Sequence, residues 1–554
     1  MHQTHKWLFL ALLLPLSLRA QSDTTSLQRL TLYSETFDAG AKKWIKSDTN
    51  VDSFRIDAGQ LHWLTKSPQP GLLAQSVSRL SSKRQHTIRA RFVRKELGSS
   101  HRTMVLFGYQ NNANYWAIAF KRQEFELYGR EEGSMRQLLP SQKCSALRDT
   151  NEIRIEHKIH KVEFYINDQL AHTYPRPIHY AGEGAGFGQQ GYGEVWLDAL
   201  DVQQWDEPIR PLPDADLFGK PERLANTVNT QYPDYVPIIS HDGQTLYFIR
   251  RDADYIKGGN KAKSDVFAAP LQADGSWGEA LQLAEPINNQ YNNAVCAVMP
   301  DNNAIYLLNQ YFENGDVGPG FALSRRTATG WAFPVNQNID KLQNLSRFAD
   351  YFVTPNGKVL LLAIQTDQTV GGRDLYVSFA QGDNQWSAPR NMGKVLNTEG
   401  EDFAPFLAAD GKTLYFASTG HPGYGAADVF VSRRLDDTWQ NWEKPYNLGE
   451  RINTPSFDAY YTIPVQGDYA YYVSMSPETK ADIYRIALAP SARPERVVVV
   501  EGYVKDQKTK EPLAALIQYE SLTAQKNLGV AYARADGFYQ IILPYGEHYG
   551  ILAD

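Results

Sequence analysis

Asp242-Gly243-Gln244-Thr245-Leu246-Tyr247-Phe248 decides the fold, because it returns. Asp410-Gly411-Lys412-Thr413-Leu414-Tyr415-Phe416 repeats it with one change at the variable place. Asn302-Asn303 before Ile305-Tyr306, Asn356-Gly357 before Leu360 and Gly467-Asp468 before Tyr471-Tyr472 keep its outline. A turn that needs positive φ, followed by a run of Leu, Tyr and Phe, reads as a tight hairpin entering a strand buried on both faces. Some twenty residues further on stands Asp265-Val266-Phe267. It recurs as Gly320-Phe321-Ala322, Asp374-Leu375-Tyr376, Asp428-Val429-Phe430 and Asp482-Ile483-Tyr484. Trp277, Trp331, Trp386 and Trp439 or Trp442 keep the same phase. So do Val228-Asn229-Thr230, Ile287-Asn288-Asn289, Leu396-Asn397-Thr398 and Ile452-Asn453-Thr454. Four markers holding one period of ~54 residues, with about four strands per period, predict a β-propeller. It spans residues 217–490, with five blades, and six as the alternative. The Trp segment is expected to be the outer strand. The last repeat lacks one, and Phe218-Gly219-Lys220-Pro221-Glu222-Arg223-Leu224 matches the outline of Trp386 to Met392. That earlier segment is therefore expected to complete the last blade and close the ring.

Outward from the repeats, the whole chain reads as all-β. Residues 21–206 alternate apolar and polar residues between Gly, Asn and Asp turns. Examples are Phe54 and Ile56 before Asp57-Ala58-Gly59, and Tyr165-Ile166 before Asn167-Asp168. Many strands without helices predict a jelly-roll sandwich. Residues 207–216, with Pro208, Pro211 and Pro213, form a stiff linker, and Ala489 to Pro494 forms a second. Residues 496–554 read as a small antiparallel sandwich with turns at Asp536-Gly537 and Tyr545-Gly546.

Residues 1–20 carry Lys6, an apolar run from Trp7 to Leu18, and Ala20 at a small-residue cleavage position. This is the pattern of a secretory signal peptide, too short to span a membrane, and no later run is long enough. We therefore expect an exported protein, in the periplasm or outer membrane of a Gram-negative cell, with no transmembrane helix after signal removal. A formal charge of −6 over 554 residues argues against nucleic acid as a partner. Two cysteines, Cys144 and Cys296, fall in different domains and read as unpaired core residues.

A search for chemistry finds little. Gly-x-Ser-x-Gly, His-Glu-x-x-His, the phosphate-binding loop and the dinucleotide fingerprint are absent, so no catalytic residue, metal ligand or cofactor is assigned. His157 and His160 fall on opposite faces of a strand-like stretch. Asp234, Asp350, Asp402 and Asp458 recur near the start of successive blades, where they are candidates for a channel or binding face. A ring of carboxylates there is open to catalysis, metal binding or structure. Recurrence favours structure, because a catalytic residue breaks repeat symmetry. Asp265, Asp374, Asp428 and Asp482 read as strand-entry hydrogen-bonding residues. Trp44, Trp63 and Trp116, with Trp196, are candidates for a sugar-stacking platform, against the alternative of core packing.

Three stretches resemble known families. Residues 217–490 resemble the TolB-type Pro-Asp (WD40-like) repeat propeller, through the Asp-Gly-x-Thr-Leu-Tyr-Phe motifs, Trp386-x-x-Pro389 and the Asn-Thr pairs. Residues 496–554 resemble the carboxypeptidase regulatory-like sandwich, through Glu501-Gly502-Tyr503-Val504, Pro512-Leu513 and Asp536-Gly537-Phe538-Tyr539. Residues 30–205 resemble the concanavalin-like, laminin G-like jelly roll, through Glu35-Thr36-Phe37-Asp38 and Val162 to Asp168. The order is similar to OmpA-family envelope proteins of Bacteroidetes type. There an OmpA-like domain normally follows and binds peptidoglycan; it is absent here, and we expect a chain cut before that domain. The resemblance implies a non-enzymatic envelope scaffold. Its propeller would serve protein–protein contact with envelope proteins, its jelly roll would take a glycan, and any peptidoglycan association would run through the missing domain. The alternative is a carbohydrate-active enzyme, a propeller glycosidase with an accessory jelly roll, which would need two carboxylates facing one sugar.

Overall fold

The structure is a computed structural model. It describes residues 27–37, 44, 52–77, 80, 84–95, 98–158, 160–175, 178, 182–252, 263–465, 467–475 and 480–554. The expected signal peptide and Asp38 lie outside the described residues. No α-helix occurs among the described residues, and no helix is long and apolar enough to cross a membrane. The chain is all-β.

Two sheets face each other in the N-terminal part. One orders its strands Gln169–Tyr174, Lys161–Ile166, Thr150–Lys158, His86–Lys95, Gly193–Asp206, Gln60–Thr65 and Asp52–Asp57, with Gln28–Glu35 also pairing Gly193–Asp206. The other orders Gly71–Ser76, Gly184–Gln190, Arg102–Asn111, Asn114–Lys121, Glu124–Glu131 and Ser134–Lys143. Alternation along each strand sends Phe92, Phe107, Phe120, Phe164 and Phe187 into one shared core. Each such ring contributes about 2 kcal/mol by leaving water. The hairpin at Asn167-Asp168 turns with φ of 49° and 61°, the left-handed pair that matches strand twist.

Five antiparallel units follow, and each begins where its hydrophobic run meets a turn. Unit 1 comprises Asp234–Ile239, Thr245–Arg251, Ser264–Pro270 and Leu281–Gln282. Unit 2 comprises Val295–Val298, Ala304–Tyr311, Val317–Thr327 and Val335–Ile339; unit 3 comprises Asp350–Val353, Val359–Ile364, Asp374–Gly382 and Arg390–Asn391. Unit 4 comprises Asp402–Leu407, Thr413–Ser418, Asp428–Arg433 and Tyr446–Asn447. Unit 5 has Asp458–Thr462, Tyr469–Ser474 and Asp482–Ala487, and takes its fourth strand, Glu222–Arg223, from before unit 1. The first strands touch in cyclic order, unit 5 returning to unit 1, so the array is a closed propeller ring. Units 2 and 3 are also spliced at their rims, where Asn338 and Ile339 pair in parallel with Gln385 and Trp386. The hairpin between first and second strands carries its positive φ at Gly243, Asn302, Gly357, Gly411 and Gly467, which is why Gly and Asn mark the repeat there.

The Trp marker sits elsewhere than expected. Trp277 and Trp442 bridge back to Leu271 and Arg434 just after the third strand, and Trp331 and Trp386 do the same from two-residue strands. The fourth strand comes four residues later. Each indole thus closes the third-to-fourth connection, and Trp277, Trp386 and Trp442 are buried.

The C-terminal part packs Val497–Tyr503 with Phe538–Pro544 and, separately, Leu516–Ser521 between Lys526–Tyr532 and Tyr549–Ala553. It sits on the ring's hairpin-turn face. Asn356 Nδ2 donates to Leu528 O at 3.1 Å, Glu495 N to Asp410 Oδ2 at 2.9 Å, and Lys526 pairs with Asp437 at 3.0 Å.

Candidate functional site

The Asn-Thr pairs and the first-strand Asp residues form one device. Asp234, Asp402 and Asp458 each stand four residues after Thr230, Thr398 and Thr454. Each accepts the backbone N–H and the hydroxyl of that threonine on Oδ2, at 2.6 to 3.1 Å. This is the loop-closing geometry that short carboxylates favour. The preceding Asn reaches the third strand of the previous unit. Asn397 Oδ1 accepts Leu375 N at 2.7 Å while its Nδ2 donates to Leu375 O at 3.0 Å. Asn453 does this to Val429, Asn288 to Val266 and Asn229 to Ile483. A side-chain amide thus supplies one more rung beyond a two-residue fourth strand. Unit 2 needs none, because its longer fourth strand pairs Gln337 with Phe321 through the backbone.

Three of the four channel candidates are therefore occupied with their own loops. Asp234, Asp402 and Asp458 are fully buried. They line no open channel, because threonine capping turns them into the wall.

Asp350 breaks the pattern. Leu345 and Ser346 stand where units 1, 4 and 5 have Asn and Thr and unit 2 has Asn288 and Asn289, and the carboxylate turns to Arg373 instead. Arg373 Nη1 lies 2.8 Å from Asp350 Oδ2, and its Nε lies 2.6 Å from Glu401 Oε2. Ala404 N donates to the same Asp350 oxygen at 3.3 Å. Groups from units 2 and 5 also feel this carboxylate. Burial raises the Cys296 thiol of unit 2 and Asp350 adds to it; burial and then Asp350 raise the Tyr460 phenol of unit 5. Burial lifts the Asp350 carboxyl itself above the ordinary range against the pull of Arg373.

Arg373 is held from behind. Gly371, Gly372, Gly400 and Gly420 let the loops of units 3 and 4 interlock: a Cβ on Gly372 would strike the Glu401 carboxylate, and one on Gly400 would meet Thr419 Oγ1 at 2.5 Å. The guanidinium lies over Phe403 at 4.8 Å and Phe348 at 5.6 Å. Phe348 is half exposed, and Arg347 caps it at 4.6 Å. The inner strands are bent here, with φ of 50° at Val236, 50° at Ala404 and 58° at Tyr460, the same place in three units. Left-handed backbone at a β-branched residue is strained and is held only by a surrounding frame. This end of the ring therefore combines two carboxylates, one guanidinium and aromatic faces on a fixed support.

The sandwich aromatics take the other reading. Trp44 and Trp63 are fully buried and Trp116 nearly so, all in the shared core. Trp44 Nε1 donates to Glu35 Oε2 and Trp63 Nε1 to Asp52 Oδ1, each at 3.1 Å. A sugar stacks only on an exposed ring face, so these three form no platform. Trp196 is covered on its faces by His62, 3.8 Å between centroids, and Lys95 Nζ at 3.6 Å. The other face of the six-stranded sheet is a separate cluster of Met104, Leu106, Tyr115, Ala117, Ala119 and Tyr128. The Arg102–Glu126 pair at 3.2 Å and Tyr109 lie beside it. The sequence reading passed over this face because its residues alternate with the core set and share its composition.

No family model and no curated protein matches this sequence. Among solved structures, carbohydrate-binding module CBM66 from Bacillus subtilis is 11% identical over 32% of this chain and 91% of its own, with a TM-score of 0.20. The β-glucanase of Bacillus licheniformis is 10% identical over 31% and 96%, with a TM-score of 0.24. A leech intramolecular trans-sialidase is 10% identical over 75% and 97%, with a TM-score of 0.27. Likenesses of this size carry no argument about function.

Proposed function

We propose that this protein is a non-enzymatic binding protein of the bacterial cell envelope, exported to the periplasm or outer membrane. Its ring receives another protein at the end around Asp350, and its jelly-roll sandwich takes a glycan. One observation carries the reading: among the four first-strand carboxylates Asp350 alone has no threonine cap, and it joins an Arg373–Glu401 cluster between units 3 and 4. The remaining first-strand carboxylates cap their own loops, a structural use. The envelope setting rests on the signal-like residues 1–20 and the OmpA-family resemblance. Envelope extracts and cell-wall sacculi passed over the immobilised protein provide the test. Wild type should retain a discrete partner that Asp350→Asn/Glu401→Gln does not. Equal retention by both, or none by wild type, overturns the reading. A glycosidase is the rival, because Asp350 and Glu401 share one arginine. Sugar release from a polysaccharide panel, abolished by Asp350→Asn, would establish it.

A further inference from the structure

Four of the five junctions between units carry one repeated contact. The N–H of the first-strand residue donates to the carbonyl just before the third-strand Asp of the previous unit: Asp234 to Ala481, Asn293 to Ser264, Asp402 to Arg373 and Asp458 to Ala427, at 2.8 to 3.1 Å. That bond sets two side chains against each other at every such junction: Asp482 with Asp234, Asp265 with Asn293, Asp374 with Asp402, and Asp428 with Asp458.

The junctions differ in how they balance charge. Asp482 is held by Arg223 at 2.7 and 3.0 Å, and Asp234 by Arg250 at 2.8 Å. At the next junction an amide replaces one acid, and Asn293 Nδ2 donates to Asp265 Oδ1 at 3.2 Å. The last two junctions set acid against acid. Asp374 and Asp402 face Val370 N, Asn391, Thr398 and Ser418, with Glu401 the nearest further charge and Arg373 turned away to Glu401 and Asp350. Asp428 and Asp458 face Tyr424 N, Gly425 N, Asn447 and Thr454, with Tyr472 and Tyr484 behind. Asp374 Oδ1 and Asp458 Oδ1 are buried without a well-formed hydrogen bond, although Gly371 N lies beside the first carboxyl and the Ser474 hydroxyl beside the second. A carboxylate oxygen so placed is unfavourable unless the group is neutralised.

We propose that each of these two junctions binds one exchangeable proton, held between Asp374 and Asp402 and between Asp428 and Asp458, so that the ring is tightest in acid and loosens as the medium turns neutral. The Asn at position 293 is the permanent form of the same neutral partner. Burial supports the direction, lifting Asp402 to about 7 and Asp458 to about 6. A carboxyl raised on folding stabilises fully below its ordinary value near 3.8 and loses that stabilisation as pH climbs through the raised one.

Urea unfolding from pH 5 to 8 on the full chain, beside Asp402→Asn/Asp458→Asn, tests this. Wild type should lose at least about twentyfold in folding equilibrium constant per pH unit between 5 and 7, up to tenfold for each of the two protons. The double variant should lose less than half as much; its unaltered Asp234, beside Arg250, serves as background. Parallel slopes overturn the proposal. Infrared spectra of folded wild type at pH 5.5 give a second readout should the variant not fold. A protonated-carboxyl band that fades toward pH 8 is expected, and its absence equally overturns the proposal.

Discussion

Asn397→Ala removes a rung that no backbone can replace. Its amide makes three hydrogen bonds: from Leu375 N at 2.7 Å, to Leu375 O at 3.0 Å and to Asn391 Oδ1 at 2.9 Å. Leu375 O keeps a second donor, Met392 N at 3.0 Å, but Leu375 N keeps nothing in that role. An orphaned buried N–H costs about 1–3 kcal/mol, and the two lost donor bonds add about 1 kcal/mol each. Alanine should therefore destabilise the ring by about 3–5 kcal/mol, measured as a lower urea midpoint at unchanged m-value. Asn397→Asp keeps the acceptor but sets a carboxylate against Leu375 O and Asn391 Oδ1, and it should cost at least as much near neutral pH. A loss below 1 kcal/mol for alanine would show that water or the fourth strand fills the rung, and would refute the amide's structural role.

Three further outcomes follow from the same geometry. Gly420→Ala, whose Cβ would collide with the Thr398 side chain, should cost about 1–3 kcal/mol and slow capture of any ligand at the Asp350 end, as read by thermal melting and by binding kinetics. Arg223→Ala strips the buried Asp482 of both its guanidinium bonds; hydrogen exchange should rise first in Asp482–Ala487, by about tenfold or more. Trp44→Ala should lower sandwich stability by about 3–5 kcal/mol while Trp44→Phe leaves any glycan affinity unchanged, a pairing that separates core packing from stacking.

The ring was legible because its turns are chemical: positive φ at a hairpin selects Gly or Asn, so the repeat survives in the letters around Gly243 and Gly411. The Trp placement was misjudged because a bulky apolar residue marks burial, and the return before the fourth strand is as buried as the strand. Asp402 and Asp350 look alike in sequence, yet one caps Thr398 and the other grips Arg373. The difference lay in the flanks. Position −5 is Asn before Asp402 and Leu345 before Asp350. The residue before the third-strand Asp, or before Gly320 in unit 2, is Ser264, Pro319, Ala427 or Ala481 in the other units but Arg373 in unit 3. Reading departures from the repeat, rather than the repeat, would have found the cluster. The candidate Trp residues failed as a platform for a plainer reason: composition cannot tell which face of a strand an aromatic side chain takes.

The C-terminal sandwich and its lead-in reach a hairpin turn in every unit: Val499 and Glu501 beside His241 and Asp242, Arg534 near Asp301, Leu528 on Asn356, Glu495 on Asp410, and Arg493 toward Asp468. Contacts at all five turns cap that side of the ring, so the partner proposed above would meet the ring only from the opposite end, where Asp350 and Phe348 lie.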